Sequence, residues 1–167
     1  MAQSGTVTLL FSDIEGSTRL LRRTGDAYPE LLERHRTLLR GAFENHGGQV
    51  LGTEGDGFFV AFASAETALD CALAIQAAMT EDAGDRRPPI RVRVGAHEAE
   101  ATRSVDDYGG RGVHEAARIA ALASGGEVLV SIRTVESAGS RHPVTETRSA
   151  QLKGLAEPVV IASLVWS

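Results

Sequence analysis

The stretch QVLGTEGDGFFVAF (Gln49–Phe62) sets one carboxylate, Asp56, between two glycines and follows it at once with an apolar run. Two β-forming runs around a Gly-Asp-Gly turn read as a hairpin. What lies on either side of that hairpin decides the fold. Upstream, TVTLLFSDIEG begins as an apolar run rich in β-formers, Thr6 to Phe11, and reads as a buried strand ending at Ser12–Asp13. Ser17 then stands as the N-cap of a helix over TRLLRRTG. Residues 27–46 place Leu31, Leu32, His35, Leu38, Leu39, Ala42 and Phe43 on one helical face, and HGG closes that helix.

Downstream, residues 65–83 form a second amphipathic helix with Ala68, Leu69, Ala72, Leu73, Ile75 and Met79 inward. DAGDRRPP is a surface loop. IRVRVGAHEAEA alternates Ile90, Val92 and Val94 against Arg91 and Arg93, a half-buried strand. DDYGGRG leads into the helix VHEAARIAALAS, GG ends it, and EVLVSI is another strand. VTETRSAQL and VVIASLVW, joined by KGLAEP, form a last hairpin. The order predicts an α+β fold with a ferredoxin-like βαββαβ core, helices on one side of a mainly antiparallel sheet, and an extra C-terminal hairpin. Residues 1–167 read as one domain, without internal repeat or low-complexity segment.

Composition narrows the function. A length of 167 residues, 43% apolar and 23% charged, fits an ordinary globular domain with a sizeable core. A net charge of −5 offers no basic field for a nucleic-acid polymer. No apolar run approaches the roughly 20 residues that span a bilayer, so no membrane partner is expected. MAQSG lacks the features of a signal peptide, and the single Cys71 cannot form an internal disulfide, so the expected location is cytoplasmic. Lys153 is the only lysine among 17 basic residues, so any lysine-dependent chemistry rests on it.

Asp13 ends the first strand and Asp56 sits at the hairpin tip. In a ferredoxin-like sheet the first strand is central and pairs with the hairpin, so the two carboxylates converge at one end. Paired hard oxygen ligands suit Mg²⁺ or Mn²⁺, and the backbone carbonyl of Ile14 adds a further ligand. Ile14, Glu15, Gly16 and Ser17 open a helix whose N–H groups face an anion. Metal plus helix N-terminus is an arrangement for a triphosphate. The plainer alternative makes Asp13 a strand-end Asx turn and Asp56 only the polar residue of its turn.

Together, LLFSDIEGSTRL, TEGDGFFVAF, VRVGAHEAEA, GGRGVHEAARIAALASGGEVLVS and LKGLAEPV resemble the class III nucleotidyl cyclase catalytic domain, from about residue 5 to the C-terminus. The likeness is strongest to small bacterial cyclase-like domains. It implies conversion of ATP, less often GTP, to the 3′,5′-cyclic nucleotide and pyrophosphate, a signalling reaction, with two divalent metal ions (Mg or Mn) per site. On the match, Asp13, Ile14 and Asp56 are the metal ligands, and Ile14, Glu15, Gly16 and Ser17 the phosphate loop. The resemblance implies a head-to-tail homodimer whose sites lie at the interface. Arg118 matches the arginine that stabilises the transition state, a helix charge otherwise. Lys153 falls where the family places a phosphate-binding lysine, an exposed hairpin lysine otherwise. Asp107 matches the base-recognition position; its carboxylate accepts from the adenine 6-amino group, which points to ATP. Otherwise it is one acid of an exposed DD loop.

Three positions depart from the pattern. Gly52, four residues before Asp56, stands where adenylate-forming members carry lysine and guanylate-forming members glutamate. His114 stands in place of the transition-state asparagine, and histidine can still donate a hydrogen bond. Glu54 replaces a usually apolar residue. These changes predict slow turnover or loose purine selectivity. They also keep open a degenerate homology domain that binds nucleotide, or a partner, with little turnover. An unrelated ferredoxin-like metal phosphotransferase or nuclease would share the two aspartates, but the ordered motifs argue against it.

Overall fold

The structure is a computed structural model that describes residues 3–85, 89–103 and 111–166. The first strand, β1 (Gln3–Ile14), leads into helix α1 (Ser17–Thr24), a 3-10 turn (Gly25–Ala27) and helix α2 (Tyr28–Asn45). The hairpin is β2 (Gln49–Glu54) and β3 (Gly57–Phe62), followed by α3 (Ala65–Ala83) and β4 (Val92–Arg103). Then come α4 (Arg111–Leu122), β5 (Val128–Ser131), α5 (Ile132–Ser137), β6 (Arg148–Ala150) and β7 (Val159–Ser163). One seven-stranded sheet runs β2-β3-β1-β4-β5-β7-β6. Among the described residues only the β4–β5 pair is parallel.

β1 is central, as the ferredoxin-like order predicts, paired to β3 on one side and β4 on the other. Its side chains alternate between two cores, as strand geometry requires. Leu10 and Ile14 join Phe58, Val60, Val92 and Val94 beneath Leu39 and Phe43 of α2 and Leu69 and Ile75 of α3. Val7 and Leu9 turn to the opposite face, where they meet Ala61 and Ala116 of α4.

That second face differs from the expectation that all helices share one side. α2 and α3 do, but α4 lies across the other. Small residues allow it: a Cβ on Gly95 of β4 would come within 2.4 Å of the Ala120 backbone nitrogen. No side chain fits there, so helix and strand meet backbone to backbone.

Local readings need three further corrections. The stretch EVLVSI stops being strand at Ser131; Ile132 begins α5, which sinks Thr134 and Val135. β-Branched Ile132, Thr134 and Val135 favour a strand locally, and packing overrides them. The expected long strand VTETRSAQL contracts to Arg148–Ala150. Ser17 is the first helical residue of α1, and its cap position is taken by Gly16 at φ 62°, ψ 40°. Among the described residues no helix is long and apolar enough to cross a membrane.

Candidate active site

The β1–β3 register, with Ser12 opposite Phe58, brings the end of β1 against the hairpin turn. That turn has two residues, Gly55 and Asp56, and only the first has positive φ (59°), the pattern of a type II′ hairpin. Asp56 is thereby aimed at β1, where its Oδ1 accepts from the Ile14 backbone N–H at 3.4 Å. The turn's carboxylate is thus brought to the end of β1 that carries Asp13. Arg36 of α2 steadies the turn by donating to the Gly55 carbonyl at 3.3 Å.

Asp13 has a partner that the alternation of β4 did not announce. Arg93 stands opposite it in the β1–β4 register. Its Nε donates to Asp13 Oδ1 at 2.7 Å and its Nη2 to Oδ2 at 2.6 Å. Both side chains are 29% exposed. This bidentate fork is the strongest form of carboxylate recognition by arginine. The hydrogen bonding to Asp13 raises the Arg93 pKa first, and the charges of Asp13, Glu15 and Asp56 raise it further, against partial burial. A pairing of β1 with β4, drawn out from the sequence, would have placed Arg93 beside Asp13.

The residues expected to form the phosphate loop follow directly. Ile14 is buried, while Glu15 and Gly16 are exposed. The Glu15 amide donates to the Arg91 carbonyl at 2.8 Å, and its carboxylate accepts from the Gly125 amide at 2.5 Å. That side chain is thus tied back to the loop after α4. The left-handed Gly16 starts α1 without a side-chain cap, and the first helical bond runs from Leu20 N–H to the Gly16 carbonyl. The amides of the first turn are left to face outward, with the positive end of the helix behind them. A cleft of about 630 Å³ opens beside them, lined by Glu15, Gly16, Thr18, Arg19, Arg22, Arg23 and Arg91 among others.

Behind the turn lies His35 of α2, 1% exposed, with its ring 6.2 Å from that of Phe58. Among the described residues neither ring nitrogen has a hydrogen-bond partner. Burial pushes its pKa down to about 4, although the charge of Asp56 pulls the other way. The sequence had placed His35 only on an apolar helix face. Tyr28 nearby has its pKa raised, by burial first and then by Asp56.

The other expected residues lie elsewhere. Arg118 is half-buried on α4, and Lys153 is exposed at the turn between β6 and β7. No hydrogen bond or ion pair among the described residues ties either to Asp13 or Asp56. Position 114 is on α4, one turn before Arg118, but the His114 side chain lies outside the described residues. Asp107 lies outside them altogether, as does the Glu54 side chain. Gly52 sits at a β-bulge, where the register steps from Val50–Val60 to Gly52–Phe59. It is exposed, and a Cβ added there would meet nothing within 4 Å.

The family profile described as "Adenylate and Guanylate cyclase catalytic domain" matches residues 1–161. The chain belongs to that family. An uncharacterized protein of Mycobacterium tuberculosis is 32% identical over 96% of this chain and 56% of its own length. The chain thus spans about half of the curated relatives of that kind that it matches. The adenylyl cyclase CyaB of P. aeruginosa is similar in structure at TM-score 0.87 and 25% identity, over 100% of this chain and 97% of that one. The guanylyl cyclase Cya2 is as close in shape, at TM-score 0.84 and 26% identity over 99% and 94%. Cyclases named for either purine share this cyclase fold, so side chains, not the fold, must choose the base.

Proposed function

We propose that this chain is a metal-dependent nucleotidyl cyclase domain that converts ATP, in preference to GTP, into 3′,5′-cyclic AMP and pyrophosphate. The observation that carries the reading is that Asp56 bonds the Ile14 amide, next in the chain to Asp13, beside the uncapped start of α1. Among the described residues no group of three or more His, Cys, Asp or Glu could hold an ion. Two carboxylates and a carbonyl suit Mg²⁺ or Mn²⁺, which complete their shells with water and substrate phosphates. Asp13, Asp56 and the Ile14 carbonyl would hold the ions. When bound, these supply Lewis-acid charge that makes the ribose 3′-hydroxyl a better nucleophile and steadies the departing phosphates.

The chain's residues supply the rest. Amides at Gly16 and Ser17 receive the phosphates, and Arg93 offers them its fork once Asp13 is engaged elsewhere. O3′ attacks the α-phosphorus, the bond to the pyrophosphate oxygen breaks, and the hydroxyl proton leaves to solvent. Arg118, with His114, meets the charge that grows on the α-phosphate oxygens. Lys153 contacts phosphate and Asp107 accepts from the adenine amino group. Because no hydrogen bond or ion pair among the described residues joins Arg118 to Asp13, we assign the two halves to different copies in a head-to-tail homodimer.

Incubation with ATP or GTP and Mn²⁺ or Mg²⁺, with cyclic nucleotide read by chromatography, tests this against Asp13→Ala. Absence of product above the variant, with tight nucleotide binding kept, would sink it. That outcome would establish the second reading, a nucleotide-binding homology domain without turnover, which Gly52 and His114 favour. Mixing Asp56→Ala with Arg118→Ala chains should restore one native site per heterodimer. No rescue, with wild type active and both variants folded and pairing, would refute the shared site.

A further inference from the structure

We propose that Glu115, His97, Ser131 and Thr134 form a polar pin that fixes the rotation of α4 over the sheet, and so positions Arg118. Its catalytic consequence rests on the cyclase reading above; its geometry does not. His97 of β4 is 5% exposed and is held at both ring nitrogens. Nε2 lies 2.7 Å from Glu115 Oε2 on α4, and Nδ1 lies 2.8 Å from Ser131 Oγ at the end of β5. Ser131 Oγ is 2.6 Å from Thr134 Oγ1 on α5, which accepts from the Glu98 amide at 2.8 Å.

The direction of every proton in this chain follows from chemistry. Burial lowers the His97 pKa despite the opposing pull of Glu115, so the ring is neutral and carries one proton. A carboxylate only accepts, which puts that proton on Nε2. Nδ1 is then bare and Ser131 must donate to it. Thr134 donates in turn to Ser131 and takes the Glu98 N–H on its free lone pair. All four donors point one way, toward Glu115, an arrangement in which each bond strengthens the next. The remaining charges near the ring, Glu98 and Arg133, are 3.7 Å apart and answer each other.

Among the described residues this pin is a second point at which β4 grips α4. The first is the close approach of Gly95 to Ala120. Gly95 and His97 are two residues apart on one strand face, about 7 Å. Ala120 and Glu115 are five apart on the helix, about 7.5 Å. Two matched anchors define a rotation that one cannot. At 100° per residue, Arg118 lies about 200° from buried Ala116 and Ala120, on the far side of the helix from the sheet. A roll of about 10° would move a side chain at the ~6 Å helix radius by about 1 Å. Misplacement of that size can cost roughly 100-fold in rate.

The test reads helix and ring first and activity second. Nitrogen-15 spectra of wild type at pH 7 should show His97 protonated at Nε2 and bare at Nδ1. Hydrogen exchange over residues 116–122 should rise at least about tenfold in Glu115→Ala, as expected when a local anchor is lost. Glu115→Gln, which still accepts from Nε2, should restore protection, with β1–β3 unchanged throughout. Glu115→Ala should lower kcat by roughly 10- to 100-fold with KM nearly constant. It should be rescued by mixing with Asp56→Ala but not with Arg118→Ala. A proton on Nδ1, α4 protection unchanged in Glu115→Ala, or protection lost equally across the sheet would overturn the pin. A wild-type chain that makes no cyclic nucleotide would overturn the cyclase reading alone, and the spectra and exchange would still decide the pin.

Discussion

Arg93 occupies both oxygens of a carboxylate that the proposed chemistry gives to a metal ion, so the two must compete. Replacing it by methionine keeps much of the stem and removes the fork. Hydrogen bonds to charged groups are worth about 1.5–3 kcal/mol each when well placed, and fully exposed ion pairs about 0–1. At 29% exposure on both sides and distances of 2.7 and 2.6 Å, the fork falls between these limits. A net value of about 1–2 kcal/mol is reasonable for it. An ion binding without nucleotide must meet that cost in wild type and not in Arg93→Met. The variant should therefore bind Mn²⁺ about 5- to 30-fold more tightly, at 1.4 kcal/mol per tenfold.

Titration of free Mn²⁺ by electron paramagnetic resonance measures this directly, without turnover. The gain should vanish when Asp13→Asn is added. Nucleotide binding should move the other way, because its phosphates lose a cation. If Arg93→Met, folded by circular dichroism, binds Mn²⁺ no more tightly than wild type, then Asp13 does not serve as the metal ligand and the competition is wrong.

Gly52→Lys has open space for its side chain and an ordinary backbone, so unfolding stability should stay within about 0.5 kcal/mol, while a new purine contact shifts the ATP-to-GTP ratio of kcat/KM by roughly 5- to 150-fold, for 1–3 kcal/mol; an unchanged ratio would deny this position any role in base choice. Gly95→Ala drives a methyl into the Ala120 backbone and should cost about 1–3 kcal/mol in denaturant unfolding, with α4 displaced; a neutral result would refute the close approach. His35 is held neutral, its pKa about 4 in the fold against 6.5 when exposed. The unfolded chain therefore binds the extra proton, so this stability is present above pH 6.5 and lost as pH falls from 6.5 toward 4. At about 1.4 kcal/mol per tenfold in proton affinity the loss approaches 3 kcal/mol, and His35→Leu should flatten that limb of the stability–pH curve; an unaltered slope would show that His35 is not the group responsible.

The order of elements was legible because each strong signal is local: apolar runs, a two-glycine turn, glycine helix stops. Asp13 and Asp56 could be brought together from that order alone, since a central first strand pairs with the hairpin. Arg93 could not be picked out from its own neighbourhood. In IRVRVGAH it alternates with valines as any outward residue would, and only the β1–β4 register gives it a partner. Glu115 and His97 are hidden for the same reason, eighteen residues apart and joined only where α4 lies on β4. The side of the sheet taken by α4 turned on Gly95, whose lack of a side chain says nothing until a helix is laid over it. α5 was missed because β-branched residues favour strand until tertiary packing decides otherwise.

These placements bear on how two of the departures from the family pattern, at Gly52 and His114, act. Gly52 lies on an edge strand at a bulge, on the same hairpin that carries Asp56, yet the turn that aims Asp56 is built by Gly55 and the Ile14 amide. A side chain missing at 52 therefore leaves the carboxylates proposed to hold metal where they are and removes only what it would have touched. Position 114 is on α4, a separate element gripped by β4 from the opposite face. On the proposed function a change there acts on the transition state, where loss of one donor costs roughly 10²–10³ in rate. Sites on separately anchored elements contribute nearly independently. The metal half can thus stay intact while base selection and rate are each reduced, which is the pattern expected of a slow cyclase with loose selectivity.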